Sequence, residues 1–367
     1  MKICYLSENP LHLDKIMNYF ASKGHDVSYI TFKENNLENI DCYSLWEPIP
    51  RSYLTYFLNL YHVRKLLRKI KPDVIHSYYL TNFGLLGAFS GFKPFIVSAV
   101  GSDALLNPFK SDSKSWLITF IVNKVVRYVI KRSDCIISMA THMTDVLTKL
   151  GAESRKINQF SEGVDLDKFK IQKTVKRDSD KVRIISTRHL ESVYNIEVLI
   201  DSIPLIVEHE KNIEFLIVGD GSLKEILIKK AEKEGVCEYI KFTGFIQNDK
   251  LPSYLNSSDI YVSTSFSDGC SVSLLEAMAC GVFPIVSDIT ANSYIISEGV
   301  NGYLFNVKSS KSLAEKILMA INEPELRERA LIKNHELIKN NFEMNLIMDR
   351  LMNIYKNLSE LKYNSKS

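Results

Sequence analysis

The chain predicts an α/β protein built from two doubly wound parallel-sheet domains, on three observations. Its 367 residues exceed what a single ordinary core organises. Short apolar runs of strand length alternate with helix-like segments, the pattern of strand–helix–strand units in a parallel sheet. A hydrophobic content of 46% with 24% charged residues describes a soluble globular chain rather than a disordered one. No apolar run reaches the roughly eighteen residues that span a bilayer, and no signal peptide is expected from the first residues, which read as a strand. Sheets of this class take ligands at the carboxyl ends of their strands, so the loops after strands are where function is sought.

In the first hundred residues, Lys2–Ser7, Asp26–Phe32, Asp73–Ser77 and Phe95–Val100 read as strands. Leu11 to Lys23 is helical in pattern and stops at Gly24, a suitable C-terminal cap. The loop after the first strand, Ser7-Glu-Asn-Pro-Leu-His12, has no glycine. A dinucleotide fingerprint is therefore absent, and a Rossmann oxidoreductase loses its main support. A strand within residues 133–139 and a helix over Thr141–Leu150 follow, and the polar run Lys170–Lys181 reads as a linker with a domain boundary near residue 175.

The second domain opens with the strand Val182–Ser186 and continues with Ile213–Val218, the tight turn Gly219-Asp-Gly221, a helix over Leu223–Glu234 and the strand Ile240–Thr243. A glycine pair at a sharp strand–helix turn is weak evidence of function taken alone. Residues 311–340 read as helical, and Phe342 to Leu358 as a final helix.

The net charge of +3 conceals an asymmetry: residues 1–176 carry +8 and the remainder −5, so an anionic surface or acceptor should meet the first half. Arg51 to Lys71 contains six basic residues and no acid, with Tyr56, Leu60, Val63, Leu67 and Ile70 at helical spacing. Trp116 to Arg132 repeats the basic-aromatic pattern through Phe120, Ile121, Tyr128, Lys124, Arg127, Lys131 and Arg132. Each segment reads either as a sheet-covering helix with a solvated face or as a helix touching anionic lipid, where each basic residue contributes about 1 kcal/mol. The six cysteines show no metal-ligand spacing, and four lie in apolar runs, so buried free thiols and a cytoplasmic setting are expected.

The chain is organised around Tyr261 to Asp288, YVSTSFSDGCSVSLLEAMACGVFPIVSD, which reads as strand, turn, helix, turn, strand. Asp268 and Glu276 flank the small or compact residues Gly269, Cys270, Ser271, Val272 and Ser273. A helix start with uncovered N–H groups suits a phosphate, and carboxylates on either side suit hydroxyl groups. Alternatively, Ser273-Leu-Leu-Glu276 forms a capping box and Asp268-Gly269 a plain turn.

This stretch resembles the signature of family 4 glycosyltransferases of the GT-B architecture: an acid, seven residues, then Glu within a Glu-Ala-Met-Ala-x-Gly run. Glu276-Ala-Met-Ala-Cys-Gly281 matches fully, while the first acid is Asp268 rather than the commoner Glu. The resemblance covers nearly the whole chain, most strongly residues 182–305. It implies two Rossmann-like domains facing a cleft: an acceptor-binding domain over 1–175, joined by the last helix (343–360) packing back onto it, and a donor-binding domain over 176–342. Glu276 would bind ribose hydroxyls and Asp268 the donor sugar. Amides of Gly269, Cys270, Ser271, Val272 and Ser273 would serve sugar and phosphates, and Arg188 would neutralise the departing diphosphate. Gly219 would lie by the nucleotide, and Phe245, in Gly244-Phe-Ile246, by the base.

In the first domain the resemblance places His76, after the third strand, and Asp103, in Gly101-Ser-Asp103, in the cleft. His76 also reads as a structural histidine and Asp103 as an Asx-type turn. Glu162-Gly-Val-Asp-Leu-Asp-Lys-Phe169 resembles the family's segment leading into the hinge, with Glu162 replacing asparagine. The family's lysine after Arg188 is missing: Val193-Tyr194-Asn195 stands there, so a diphosphate loses a contact of about 1.5–3 kcal/mol.

The activity implied is retaining transfer of a sugar from a nucleotide diphosphate sugar to an acceptor hydroxyl, in cell-surface polysaccharide or glycolipid synthesis. The other readings are a non-catalytic nucleotide-sugar-binding subunit, suggested by the missing lysine, and a sugar-nucleotide 2-epimerase of related architecture. No cofactor and no metal are expected, since no Asp-x-Asp motif is present and Arg with the helix start takes the metal's place. The expected partners are a nucleotide sugar, a glycan or lipid-linked acceptor and an anionic membrane surface, with no nucleic acid. The expected location is the cytoplasm, peripheral on the inner face of the cell membrane.

Overall fold

The computed structural model describes residues 1–8, 13–33, 37–46, 53–100, 116–139, 141–159, 163–172 and 180–364. The chain divides into two compact units, one of residues 1–161 with 348–367 and one of residues 162–347.

The first unit is a seven-stranded sheet of β1 (Lys2–Leu6), β2 (Asp26–Thr31), β3 (Asp41–Ser44), β4 (Val74–Tyr78), β5 (Phe95–Ala99), β6 (Cys135–Ser138) and β7 (Ile157–Gln159). Its order is β3-β2-β1-β4-β5-β6-β7, and every pairing is parallel. The central strands β4 and β5 are buried along their whole length, including the polar residues His76, Ser77 and Ser98 among their apolar ones. The edge strands β3 (DCYS) and β7 (INQ) are short and partly exposed, and nothing in their sequence marks them. The helices are α1 (Asp14–Ser22), α2 (Tyr53–Ile70), α3 (Asn82–Ser90), α4 (Trp116–Arg132) and α5 (Thr141–Lys149). Val63 and Leu67 of α2, Phe83 and Leu86 of α3 and Val126, Val129 and Ile130 of α4 share one core with Cys4, Ile75 and Val97 of the sheet.

The second unit is a six-stranded parallel sheet of β8 (Val182–Ser186), β9 (Ile213–Val218), β10 (Ile240–Gly244), β11 (Ile260–Ser263), β12 (Phe283–Ser287) and β13 (Tyr303–Phe305), in the order β10-β9-β8-β11-β12-β13. Alternate side chains feed two cores. Ile184, Phe215, Ile260 and Ile285 pack on one face, and Ile185, Leu216, Tyr261 and Val286 on the other. The helices are α6 (Ile196–Val207), α7 (Lys224–Lys233), α8 (Leu251–Asn256), α9 (Val272–Ala279), α10 (Thr290–Ser293), α11 (Ser310–Asn322) and α12 (Pro324–Asn341).

The single helical stretch expected over 311–340 is two helices. Pro324 opens α12 at a first-turn position, where its missing N–H costs nothing but the preceding helix cannot continue through it. The last helix, α13 (Met344–Asn364), sets Tyr355 in the core of the first unit, where its hydroxyl meets Tyr5 Oη at 3.1 Å and His76 Nδ1 at 2.6 Å. All six cysteines are free; Cys4, Cys135 and Cys280 are buried, Cys42 and Cys270 half-buried and Cys237 exposed. Among the described residues no helix is long and apolar enough to cross a membrane.

Candidate active site

In the second sheet β8 lies between β9 and β11, so the chain direction of winding reverses between β8 and β11. In sheets of this class ligands bind where such a reversal occurs, at the carboxyl ends of the two strands. Arg188 stands two residues beyond β8, and Asp268 five beyond β11. Eighty residues apart in sequence, they form an ion pair: Arg188 Nη2 donates to Asp268 Oδ2 at 2.6 Å, with side chains only 10% and 15% exposed. Arg188 Nη1 donates to Ser271 Oγ (2.9 Å) and Ser273 Oγ (2.8 Å) at the start of α9. Burial, the largest single influence, would lower the Arg188 pKa, but Asp268, Tyr261 and Tyr194 together hold the guanidinium above its ordinary value. The Arg188 Nε–H is buried and has no partner among the described residues. An orphaned donor of this kind costs about 1–3 kcal/mol until something accepts from it.

The start of α9 differs from a Ser273–Glu276 capping box. Ser271 is the N-cap, its side chain accepting from Leu274 N at 3.4 Å. Ser273 lies inside the first turn, and its hydroxyl is engaged by Arg188 and by Tyr261 Oη at 2.9 Å. Glu276 therefore sits in the second turn, three and four residues beyond Ser273 and Val272 and on their face of the helix. It is a buried carboxylate, 5% exposed. Val272 and Ser273 are first-turn positions whose amides have no acceptor within the helix. The Gly269 amide, by contrast, is engaged in its own turn, donating to Asp268 Oδ1 at 2.9 Å. Cys270, in the same turn, is half-buried.

The Gly219-Asp-Gly221 turn passes directly under the segment that carries Arg188. Gly219 is left-handed (φ +147), and a Cβ there would lie 2.3 Å from the Arg188 carbonyl oxygen. A Cβ on Gly221 would lie 2.5 Å from the Leu190 carbonyl oxygen. Leu190 N donates to Asp220 O and Leu223 N to Leu190 O, both at 3.0 Å, so only glycines let the two backbones meet. Phe245, following the left-handed Gly244, is 70% exposed beyond the end of β10.

Tyr194 stands where the family's lysine is missing and offers a hydroxyl there, but its contact with Arg188 is not legible in the sequence. Its ring covers Arg188, with the guanidinium carbon 4.3 Å from the ring centroid. The one signal available was its place near the family's lysine position.

His76, a candidate for a catalytic position, is a core residue. It has no solvent exposure, and Nδ1 meets Tyr355 Oη at 2.6 Å while Nε2 meets Ser98 Oγ at 2.8 Å. Burial pushes its pKa down to about 3, so the ring is neutral at physiological pH. Asp103 and Glu162 lie outside the described residues, as does most of the 170–181 run.

Two family sequence models match the chain: that of the glycosyl transferases group 1 over residues 167–336, and that of the glycosyl transferase 4-like family over residues 2–140. An uncharacterised glycosyltransferase of Methanocaldococcus jannaschii is 24% identical over 97% of this chain and 96% of its own. The N,N'-diacetylbacillosaminyl-diphospho-undecaprenol alpha-1,3-N-acetylgalactosaminyltransferase of Campylobacter jejuni is 24% identical over 81% of this chain and 80% of its own. Among solved structures, a glycosyltransferase from Rickettsia africae superposes with a TM-score of 0.81 at 14% identity, covering 97% of this chain and 98% of that one. Anabaena HepE in complex with UDP superposes with a TM-score of 0.80 at 16% identity, covering 98% of this chain and all of that one. The fold shared with these structures is GT-B.

Proposed function

The chain belongs to the group 1 glycosyltransferases of family 4 type, and from that premise we propose that it moves a sugar from a nucleotide diphosphate sugar to an acceptor hydroxyl with retention of configuration. The observation that carries this reading is Arg188, held at the start of α9 by Ser271, Ser273 and Asp268 where β8 and β11 diverge. A fixed cation, a helix N-terminus and two flanking carboxylates suit a diphosphate bearing hydroxylated rings at both ends. In this reading Glu276 takes the ribose hydroxyls and Asp268 the sugar. The amides opening α9 and Arg188 stabilise the charge that develops on the leaving diphosphate. Phe245 offers its exposed ring to the base. The role is played without a metal ion.

The absent lysine leaves Arg188 as the cation at this position, a departure that the non-catalytic reading rested on. The family assignment favours the enzyme. We place acceptor binding in residues 1–175 together with the last helix, and donor binding in 176–342. Anabaena HepE has been solved with UDP and with UDP-glucose, and the Campylobacter jejuni relative is named for a lipid-linked acceptor. These support a nucleotide-sugar donor and a glycan or lipid-linked acceptor. α4 supports a membrane-proximal acceptor: Phe120 and Ile121 are each 51% exposed beside the basic residues of the same helix.

A thermal-shift screen with UDP, GDP and ADP tests the donor site. A ligand at a hundred times its Kd adds about 2.7 kcal/mol, so the matching nucleotide raises Tm by several degrees. No shift with any nucleotide refutes the reading. An inverted anomeric centre in the product, read by NMR, refutes retention.

A further inference from the structure

Tyr194 has no assigned part in the reaction, yet it touches the group on which the donor site turns. Its ring lies over the Arg188 guanidinium at 4.3 Å. Three bonds fix its mount. Tyr194 N donates to Glu191 O and Phe266 N to Val193 O, both at 2.9 Å, and Thr264 Oγ1 donates to Tyr194 O at 2.7 Å. Thr264 and Phe266 belong to the segment running from β11 to Asp268, so one piece of backbone locates both the ring and the carboxylate. Asn195, next in the chain, is left-handed (φ 49) and ties its Nδ2 to Val307 O at 3.0 Å. The turn is thereby closed on both sides of the ring.

A guanidinium has five N–H donors in a planar fork. Here two are given to Ser271 and Ser273 and one to Asp268, and the guanidinium carbon lies over the Tyr194 ring. The buried Nε–H has no partner among the described residues, and it neighbours the Nη2 that Asp268 engages. A planar cation clamped in its plane and over its face has one arrangement open to it. An N–H edge without an acceptor then marks where an anionic oxygen is missing.

We propose that Tyr194 is the positioning residue of Arg188: its ring, in place of a second cation, holds the guanidinium so that the unpaired edge meets the second phosphate of a nucleoside diphosphate. This rests on the donor-site reading above. A lysine at this position supplies charge; the aromatic face supplies orientation. The diphosphate is then recognised by one always-charged group rather than two, and the second phosphate becomes the one sensitive to Tyr194.

Calorimetric titration of the full chain with UDP and UMP, or with GDP and GMP, tests this, using whichever base the wild type binds. Tyr194→Leu lowers affinity for the diphosphate about tenfold relative to the monophosphate, the size of a desolvated cation–π contact. Tyr194→Phe, which keeps the face and drops the hydroxyl, stays near the wild-type ratio. Should the leucine variant fail to fold, Tyr194→Met, of similar bulk and without an aromatic face, carries the same expectation. A ratio unchanged in the leucine or methionine variant, or equal losses for both nucleotides, overturns the assignment and leaves Tyr194 a packing residue. A wild type that binds neither nucleotide of any base overturns the donor-site reading itself.

Discussion

Replacing Asp268 by asparagine separates the two functions that meet in the Arg188–Asp268 pair. The substitution keeps shape and removes one charge. In the free protein it exchanges a charge-assisted bond of 2.6 Å between two largely buried side chains for a weaker one. Truncating one partner of a buried pair costs about 3–5 kcal/mol, but asparagine still accepts from Nη2, so about 2 kcal/mol is expected. For a unit of this size that lowers Tm by roughly 4–8 °C. In the complex the sign reverses. A phosphate oxygen on the unpaired edge of Arg188 would lie about 5 Å from the Asp268 carboxylate, a repulsion of about 3 kcal/mol at an effective dielectric of 20. Removing it tightens nucleoside diphosphate binding at least about tenfold, even after screening has taken half of that energy. Turnover of the sugar donor falls, because the acceptor of the sugar hydroxyl is weakened. Titration calorimetry gives the affinity, and product formation gives the turnover. An Asp268→Asn protein that binds the diphosphate no more tightly than wild type refutes the view that the carboxylate and the phosphate share one guanidinium.

Three further outcomes follow from the geometry. His76 titrates near 6.5 in an unfolded chain and at about 3 when buried, so between those values the unfolded state alone takes up the proton. The stability it contributes is whole above pH 6.5 and drains away as pH falls toward 3, by up to about 1.4 kcal/mol per pH unit; urea midpoints at pH 7 and pH 5 should differ less in His76→Gln than in wild type, and equal differences would exclude His76 as the cause. Gly219→Ala forces a Cβ against the Arg188 carbonyl at a left-handed φ, so a loss of about 3 kcal/mol and of nucleotide binding is expected; a variant with unchanged Tm and nucleotide affinity would show that the two backbones separate freely. Replacing Phe120 and Ile121 together by serine removes the exposed apolar face of α4 and should weaken co-sedimentation with anionic liposomes more than tenfold, since each side chain buries about 1.5–3 kcal/mol; retention of full binding would exclude this helix as the membrane contact.

The amino-acid sequence by itself determined the class of the fold and the place of its central motif. Strands such as Val182–Ser186 and Ile213–Val218 are legible because buried strands of a parallel sheet are mostly apolar, here broken only by Arg183, Glu214 and Ser186, a property local to five or six residues. The resemblance to the family rested on a similarly local run, Glu276 to Gly281. Edge strands such as Asp41–Ser44 escaped notice because they gain their pairing from a neighbour and bury too little to carry a pattern. Only the tertiary structure decided that Ser271 rather than Ser273 caps the helix, since Arg188 and Tyr261 compete for the Ser273 hydroxyl from other strands. It alone decided that His76 is enclosed, because Tyr355, 279 residues later, supplies its partner. And it alone brought Arg188, Tyr194 and Asp268 together: the first two lie between β8 and α6 and the third between β11 and α9, and which strand ends become neighbours is set by sheet order, a property no local stretch of sequence contains.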